Sequence, residues 1–592
     1  MAADNRRPPY AGASRKLIIS IDVGTTFTAT SFCLLQPGNV PKFEEILRWP
    51  KQATPDAKVP SVLYYDRDGN PKAFGAETED EDTIIEAEEN GWFRAEWWKL
   101  LLRPSHLPII QDLELPPLPA NVTLDDVFAH HLGYIKDQVK AYITTTYGEG
   151  GSIWETLSPT MYIILTTPNG WEGGQQRRMR EAAIRARLVD AAGGRRVKFV
   201  SEAEAAVLYA ADSGSVGDWL VADGQLILCD CGGGTVDITG YKIEATKPVL
   251  KLSESSASRC YLAGAVFVTQ AAKKFFQARL QGTEWEKEES MQRIVNHFDR
   301  NAKKKFTDET MVSYVQLDGH KSNPNLNITR GRLKITGAEM VSFFAGPLRK
   351  IQEGLEIAFE NGDRLADKVI LVGGLASSPY VFSRLDEWGK GLGISVTRPD
   401  GPTVKAVANG ALAWHLDGSV DSRMAKYYYG VSVRRPYVDT DPVCIERAGT
   451  KYQAPNGNWY ITQGWCGIVN KNDKLEAAKE FTALFATEMN EQTFDFEYSV
   501  KLYVYRRSTP PTFITFPGRK TMQPGFEVIC QVTADLEKCY QATPFSVSPS
   551  GRRYKQVAFE VCLGLGETEL TARLRWKEDG VDTYGPATIA YE

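Results

Sequence analysis

Two segments of this chain, about 200 residues apart, combine carboxylates with glycine and threonine after an apolar stretch. The first is Asp22-Val-Gly-Thr-Thr26, and the second is Asp230-Cys-Gly-Gly-Gly-Thr-Val-Asp237. Glycine allows the backbone to approach a ligand closely, and its N–H groups can bind phosphate oxygens together with threonine hydroxyls. The carboxylates would repel a phosphate unless Mg²⁺ and its retained waters lay between them. The pattern therefore predicts a site for a phosphate chain and magnesium.

Each segment lies between two apolar stretches that predict β-strands. Residues 17–21 and 226–229 precede the aspartates, and Phe27–Leu35 and Ile238–Ile243 follow the turns. An Asx-type turn between strands would explain one copy alone. Two copies predict a duplicated lobe, with a phosphate-binding turn on each half and a nucleotide between the halves. The turns lead into strands and lack the Gly-x-x-x-x-Gly-Lys-Ser/Thr pattern, so a Walker A loop is excluded.

A third glycine turn lies between a predicted strand and a predicted helix. Residues 368–372 predict a buried strand that ends at Gly373-Gly374, and a helix follows through Val381 and Leu385. A Gly-Gly turn would let a flat base and its ribose lie against the backbone. Other segments of the series are Ile163–Pro168, an arginine-rich helix at 175–188, the run 199–209 and Gly264.

These elements, in this order, resemble the ATPase domain of the 70-kDa heat-shock chaperones, which belongs to the superfamily of actin and the sugar kinases. The likeness covers residues 16–415 and rests on the order and spacing of five motifs. Trp97-Trp98-Lys99, the run 201–206 and the segment 423–431 indicate a divergent branch that is similar to heat-shock 70 kDa protein 12A. The resemblance implies an α/β, two-lobed actin-like ATPase fold built from duplicated ribonuclease H-like lobes, and the strand-like segments after Tyr429 predict a mainly-β domain that follows it.

The resemblance also implies roles for single residues in Mg²⁺-dependent ATP hydrolysis to ADP. Asp22 and Asp230 match the aspartates that hold magnesium through water, and Glu202 matches a glutamate near the metal and the γ-phosphate. Asp237 matches a carboxylate that orders the attacking water, and Lys99 a catalytic lysine. Such a site works by positioning and charge stabilisation, so we expect slow turnover.

Other matching residues would bind the nucleotide itself. Pro168 matches a proline that relays the nucleotide state between domains. The predicted phosphate cradle consists of Gly24, Thr25, Thr26, Gly232, Gly233, Gly234 and Thr235. The predicted contacts to the base and ribose are Gly264, Lys303, Lys304, Gly373, Gly374 and Ser377.

The chain departs from the family at two places. Lys304 and Ser377 stand where the family has arginines that contact the base. An ammonium stacks less well on a base than a guanidinium does, so weaker base binding is expected. A solvated helix end is the alternative interpretation of Lys303–Lys305. The segment after residue 415 is polar, whereas the family has an apolar linker there, which puts the usual coupling of ATP state to a second domain in doubt.

The expected domain order follows from these matches. Segments 494–505, 559–564 and 570–576 have strand-like composition, partly with period-two alternation. About 165 residues remain after Tyr429, which is too few for a full substrate domain with a helical lid. The expected organisation is a disordered tail 1–15, a first ATPase lobe 16–225, a second lobe 226–415 from which the chain returns to the first, a linker 416–428, and a lidless mainly-β domain 429–592.

Composition excludes several classes of protein. The net charge of −5 argues against a general nucleic-acid binder. The nine cysteines are scattered and form neither a disulfide framework nor a zinc-site spacing. No apolar run approaches the roughly 20 residues that span a membrane, and the N-terminus lacks a signal-peptide pattern. We expect a cytoplasmic or nuclear location.

Three functions fit the sequence. The first is a slow Hsp70-like ATPase whose lobe closure is coupled to a protein client, with nucleotide-exchange factors or J-domain co-chaperones as further partners. The second is a small-molecule kinase of the same superfamily that acts on a sugar-like hydroxyl, with Asp237 or Glu202 as the base. The third is a scaffold that binds ATP without hydrolysing it.

Overall fold

The computed structural model describes residues 7–105, 107, 113–171, 173–212, 219–247, 249–360, 366–399, 406–476, 479–492, 495–564, 569–578, 580–586 and 588–589. The chain divides into two compact units, Met1–Val420 and Asp421–Glu592. The division falls within the polar segment 416–428. Among the described residues, no helix combines the length and apolarity needed to cross a membrane.

The first unit is a mixed α/β structure with several sheets. Its strands are β1 (Lys16–Val23), β2 (Phe27–Leu35), β3 (Phe43–Glu45), β4 (Lys58–Pro60), β5 (Leu63–Tyr65), β6 (Pro71–Phe74), β7 (Phe93–Ala95), β8 (Tyr162–Thr167), β9 (Val197–Ser201), β10 (Gln225–Cys231), β11 (Val236–Ala245), β12 (Lys251–Glu254), β13 (Arg259–Tyr261), β14 (Ser313–Gln316), β15 (Ile328–Thr329), β16 (Arg332–Ile335), β17 (Lys368–Val372) and β18 (Ser395–Thr397).

Helices connect and cover these strands. They are α1 (Glu81–Asn90), α2 (Leu124–Thr146), α3 (Gly150–Leu157), α4 (Gly173–Arg185), α5 (Glu202–Asp212), α6 (Ala265–Leu280), α7 (Glu288–His297), α8 (Lys303–Lys305), α9 (Gly337–Glu360), α10 (Pro379–Leu392) and α11 (Ala406–Asp417). A short 3₁₀ helix spans Trp98–Leu102, and a π-helical turn spans Phe298–Ala302.

Two sheets of this unit have the same strand order and the same directions. One has the order β3-β2-β1-β8-β9, and the other contains the order β18-β17-β10-β11-β12. In each, a central strand pairs antiparallel with the next strand of the chain and parallel with a later one. A short extra strand, β4 or β13, pairs antiparallel with the second strand of each hairpin. The strand pairing around the two motifs is therefore the same in both sheets.

The central strands are buried along almost their whole length, because helices cover their faces. Ile19 and Ile21 of β1 and Leu226 and Leu228 of β10 are fully buried. Continuous apolar runs of this kind are typical of strands that are covered on both faces. Helix α5 contributes Ala205 to the core of the first sheet and other alanines to the core of the second.

Residues 7–15, which belong to the expected tail 1–15, make contacts with the rest of the first unit. The Arg7 guanidinium contacts Asp417 at 2.6 Å and Asp212 at 2.6 Å. Tyr10 exchanges backbone hydrogen bonds with residues 38 and 39. Residues 1–6 of the predicted tail lie outside the described residues. The segment is therefore connected to the first unit by two ion pairs at helix ends and by backbone hydrogen bonds.

The second unit consists mainly of antiparallel strands. They are β19 (Val420–Met424), which begins at the division, β20 (Tyr428–Pro436), β21 (Tyr452–Gln453), β22 (Trp459–Val469), β23 (Lys474–Glu476), β24 (Glu480–Asn490), β25 (Glu497–Tyr505), β26 (Phe526–Asp535), β27 (Phe545–Val547), β28 (Arg553–Gly564), β29 (Thr571–Glu578), β30 (Val581–Tyr584) and β31 (Thr588–Ile589). Two short helices are α12 (Pro442–Glu446) and α13 (Glu537–Ala542).

Two sheets of this unit have the orders β21-β22-β20-β25-β26 and β24-β28-β29-β30. Residues such as Val504, Val532 and Val561 form its core. The three predicted strands at 494–505, 559–564 and 570–576 are confirmed as parts of β25, β28 and β29, and Phe494 lies outside the described residues.

Candidate functional site

The two glycine–threonine turns have the same backbone geometry. The N–H of Gly24 donates to the carbonyl of Phe27 at 3.1 Å, and the N–H of Gly232 donates to the carbonyl of Thr235 at 2.9 Å. Each bond encloses four residues, 24–27 in the first hairpin and 232–235 in the second. In the two ladders, Asp22 lies opposite Ala29 and Asp230 lies opposite Asp237. Asp22 and Asp230 therefore occupy equivalent positions in the two hairpins.

The two turns lie directly against each other. A Cβ atom placed on Gly233 would lie 2.5 Å from the hydroxyl oxygen of Thr26, and one placed on Gly234 would clash with Thr25. Across the described residues, the backbone N–H groups of Thr25, Thr26, Gly233 and Gly234 form no hydrogen bond with the protein. Unbonded N–H groups on adjacent turns form the kind of concavity that binds anions.

The start of α6 holds the second turn from behind. The N–H groups of Gly264, Ala265 and Val266 donate to the carbonyls of residues 234, 232 and 233 at 3.2, 3.1 and 2.9 Å. A Cβ atom on Gly264 would lie 2.5 Å from the carbonyl oxygen of Gly233. The carbonyls of the turn are thus bound by α6, whereas the N–H groups of Gly233 and Gly234 remain available to a ligand.

Four carboxylates are buried beside these turns. Asp22, Glu202, Asp230 and Asp237 come from β1, the start of α5, β10 and β11, and each is at most 8 % exposed. The pKa of Asp230 is raised to about 7, mainly by burial and in addition by the charges of Asp237 and Asp22. Burial also raises the pKa of Glu202 to about 8, against the opposing charge of Lys99. The cluster therefore favours either protons or an added cation.

Lys99 is the buried cation of this cluster. It lies in the 3₁₀ helix Trp98–Leu102, and its Nζ donates to Glu202 Oε1 at 2.6 Å. It also lies 5.3 Å from the centre of the Trp171 ring. Burial alone would lower the pKa of Lys99, but the charges of Glu202 and Asp22 outweigh burial and the pKa is raised. Lys99 is therefore a charged ammonium among carboxylates.

Asp237 has one oxygen that is held and one that is free. The backbone N–H of Asn169 donates to Asp237 Oδ1 at 2.6 Å, whereas Oδ2 has no hydrogen-bond partner among the described residues. Burial raises the pKa of Asp237 to about 6, while the bonds from Asn169 and from the Thr235 hydroxyl lower it. Asn169 directly follows Pro168, so the predicted relay proline is adjacent to a residue that binds Asp237.

Asp22 is oriented by a residue that the sequence analysis did not select. The hydroxyl of Thr166 donates to Asp22 Oδ1 at 2.8 Å. Thr166 and Asn169 lie at the carboxyl end of β8, which is parallel to β1. Side chains at this end of parallel strands commonly line ligand sites, and this was the signal available in the sequence.

The third glycine turn lies beside Asp230. The N–H of Leu375 donates to the carbonyl of Cys231 at 2.8 Å, which ties the turn to β10. Gly373 has φ of 91°, and a Cβ atom there would clash with Asp230 Oδ1. Ser377 uses its hydroxyl to bind the carbonyl of Gly374 at 2.6 Å. Position 373 therefore requires glycine, because its backbone has a positive φ and lies too close to the Asp230 carboxylate for a side chain.

The two predicted base-binding lysines have different surroundings. Lys303 Nζ bonds to Asp299 and donates to the Thr269 hydroxyl at 3.1 Å, so it links the π-helical turn to α6. Lys304 instead lines a cavity of about 860 Å³. The wall of this cavity also includes Thr25 and Thr26 of the first turn. Lys304 is therefore the lysine of this pair that shares a cavity with the phosphate turn.

The carboxylates fit a hydrated cation better than a directly coordinated one. Among the described residues, no three His, Cys, Asp or Glu side chains form a cluster that could hold a metal ion. Four carboxylates nevertheless surround a single buried lysine. Mg²⁺ usually retains several waters and binds through one or two carboxylates and substrate phosphates, which suits this arrangement.

We compared the chain with models of known protein families, and none matches. No curated protein matches its sequence either.

Proposed function

We propose that the chain is an ATP-binding and slowly ATP-hydrolysing protein that resembles the 70-kDa heat-shock chaperones. The observation that carries the proposal is the pair of equivalent hairpin turns, whose unbonded N–H groups lie together beside four buried carboxylates. In this proposal, the two matching sheets are the centres of two actin-like lobes, and ATP binds between them with Mg²⁺. Closing of the lobes around the nucleotide would be the conformational response.

Each part of the site has a task in this reaction. The N–H groups and hydroxyls of the turns would bind the phosphate oxygens. Mg²⁺, when bound, would neutralise phosphate charge, and Asp22 and Asp230 would hold it through water. Asp237 Oδ2 would accept a hydrogen bond from the attacking water, and Lys99 would stabilise the charge that develops on the phosphoryl oxygens. No protein group forms a covalent bond to the phosphate, which is consistent with slow turnover.

The second unit would bind a protein client in an extended conformation. Strand β24 is at the edge of its sheet, because it pairs with β28 on one side and is the end of the strand order among the described residues. Leu484 of this strand is 71 % exposed. A long edge strand with unpaired backbone groups can add a strand from another chain. Nucleotide-exchange factors and J-domain proteins would be further partners.

Single-turnover ATP hydrolysis with Mg²⁺, measured for the unaltered protein and for the Asp230→Ala variant, tests the proposed ATPase activity. Slow hydrolysis that the substitution abolishes, in a protein that still folds, would support the ATPase. Hydrolysis that persists unchanged would remove Asp230 from the mechanism. Tight binding without hydrolysis would favour a nucleotide-dependent scaffold. Phosphate transfer to an added sugar, with little free phosphate, would favour a kinase.

A further inference from the structure

Lys58 lies in one row with Asp22, although the two residues are on different strands. In the first sheet, β4 pairs with β2 so that Lys58 lies opposite Ala29, and Ala29 lies opposite Asp22 of β1. Residues directly opposite each other in antiparallel strands have their side chains on the same face of the sheet. Lys58 therefore extends from the sheet face that carries Asp22, about 9–10 Å away across two strand spacings.

The second sheet repeats this row with other residues. There Cys260 of β13 lies opposite Asp237, and Asp237 lies opposite Asp230. Lys58 thus occupies the position of Cys260, and Ala29 occupies the position of Asp237. Ala29, between Lys58 and Asp22 in this row, carries only a methyl group and no polar atom in its side chain. The row that begins at Asp22 therefore ends in a cation, whereas the equivalent row that begins at Asp230 continues with a carboxylate and a thiol.

The backbone of Lys58 is fixed while its ammonium is not engaged. The Lys58 N–H donates to Asp56 Oδ1 at 3.1 Å, and its carbonyl accepts from the Gln52 side chain at 3.2 Å. Three residues later along the chain, the N–H of Ser61 donates to the carbonyl of Thr26 at 2.9 Å, which joins this segment to the first phosphate turn. Among the described residues, the Lys58 ammonium makes no hydrogen bond or ion pair.

The charge of Lys58 acts on the buried carboxylates. Burial is the main cause of the raised pKa of Asp230, and Lys58 and Lys99 are the cations that oppose this increase. Lys99 is already bonded to Glu202. Lys58 is therefore a half-buried cation near the cluster that keeps its donors available for a ligand.

We propose that Lys58 is a second cationic phosphate-binding residue, and that its ammonium binds the terminal phosphate of bound ATP. The inference rests on the proposed function, because it takes ATP as the ligand of the two turns. Lys58 transfers no proton in this role. It supplies charge-assisted hydrogen bonds to phosphate oxygens and so contributes to binding of ATP more than to binding of ADP.

The test compares Lys58→Met, which keeps much of the length and removes the charge, with Lys58→Arg. Lys51→Met is the matched control, because Lys51 lies in the same segment and pairs with Asp80. We measure the affinities for ATP and ADP, the single-turnover rate and thermal unfolding. A charged hydrogen bond contributes enough that Lys58→Met should weaken ATP binding about 10- to 100-fold. ADP binding should change less than about twofold, and Lys58→Arg should restore most of the loss.

Equal losses for ATP and ADP, or no loss for either, would overturn the role of Lys58. If Lys58→Met fails to fold, Lys58→Gln replaces it, and failure of both variants would assign Lys58 a structural role instead. Absence of ATP binding by the unaltered protein would overturn the proposed function itself. If the unaltered protein binds ATP without hydrolysing it, the ratio of ATP to ADP affinity still decides the role of Lys58.

Discussion

Lys99 Nζ lies 2.6 Å from Glu202 Oε1, and both side chains are buried beside the two glycine–threonine turns. The pair joins the 3₁₀ helix Trp98–Leu102 to the first residue of α5, 103 residues later in the chain. The lysine is therefore held in place by the protein before any nucleotide arrives. Groups that are fixed in advance need little reorganisation when charge develops on a substrate.

Lys99→Met should slow the chemical step by about 100-fold or more, because a preorganised donor to the developing charge is lost. Nucleotide affinity should stay within a few-fold, since the N–H groups of the turns remain. Glu202 loses the cation that opposes its raised pKa, so this pKa rises further. Single-turnover hydrolysis and nucleotide titration measure the two effects. Loss of affinity with an unchanged rate would instead assign Lys99 a ground-state contact.

Stability without ligand should fall as the pH rises from 6.5 to about 8. Burial raises the pKa of Glu202 to about 8 and of Asp230 to about 7, above the usual values of 4.5 and 3.8. In this pH range the folded state binds protons that the unfolded chain has already released, and this stabilises the folded state. The stabilisation is lost as the pH rises through the pKa values of the folded state. Burial lowers the pKa values of His131 and His415, which act in the opposite direction, and their effect fades as the pH rises above their usual pKa of 6.5.

The free energy of unfolding should fall by up to about 1.4 kcal/mol per pH unit for each proton that the folded state releases. Thermal or denaturant unfolding at pH 6.5, 7.25 and 8 measures it. Asp230→Asn should flatten the dependence, because one of the titrating carboxyls is removed. A free energy of unfolding that is constant over this range would mean that the carboxylates are not protonated in the folded protein.

The two glycines of the third turn should respond differently to alanine. Gly373 has φ of 91° and no room for a Cβ atom beside Asp230, so Gly373→Ala should cost about 1–3 kcal/mol of stability. A Cβ atom on Gly374 would meet nothing within 4 Å, so Gly374→Ala should leave stability unchanged. Denaturant unfolding of both variants tests this, and equal effects would contradict the geometry of the turn.

An aspartate on the edge strand of the second unit should weaken client binding. Leu484→Asp places a charge on β24, where it would oppose addition of an apolar strand. We expect a loss of about tenfold or more in affinity for a labelled leucine-rich peptide, with stability unchanged because Leu484 is 71 % exposed. Val547→Asp, at a site that is 65 % exposed on β27, is the control. Peptide binding that both substitutions reduce equally would argue against β24.

The hairpins could be predicted from the sequence because their information is local. An apolar strand, an aspartate and a Gly–Thr turn are consecutive residues, and strand pairing across a short turn follows directly. The same reasoning located the strand and turn at Gly373 and the strands of the second unit. The ion pairs of Arg7 could not be predicted, because they involve Asp212 and Asp417, which are distant in the chain.

By itself, the sequence determined the chemical groups and the local turns that offer them. Only the tertiary structure decided which groups meet, since contacts such as Asn169 with Asp237 depend on strand register and on how separate segments pack. Strand register put Lys58 in the row of Asp22, although nothing near Lys58 in the chain indicates a ligand. Packing also bound Lys303 to Asp299 and left Lys304 on the cavity wall, although the two lysines are adjacent in sequence.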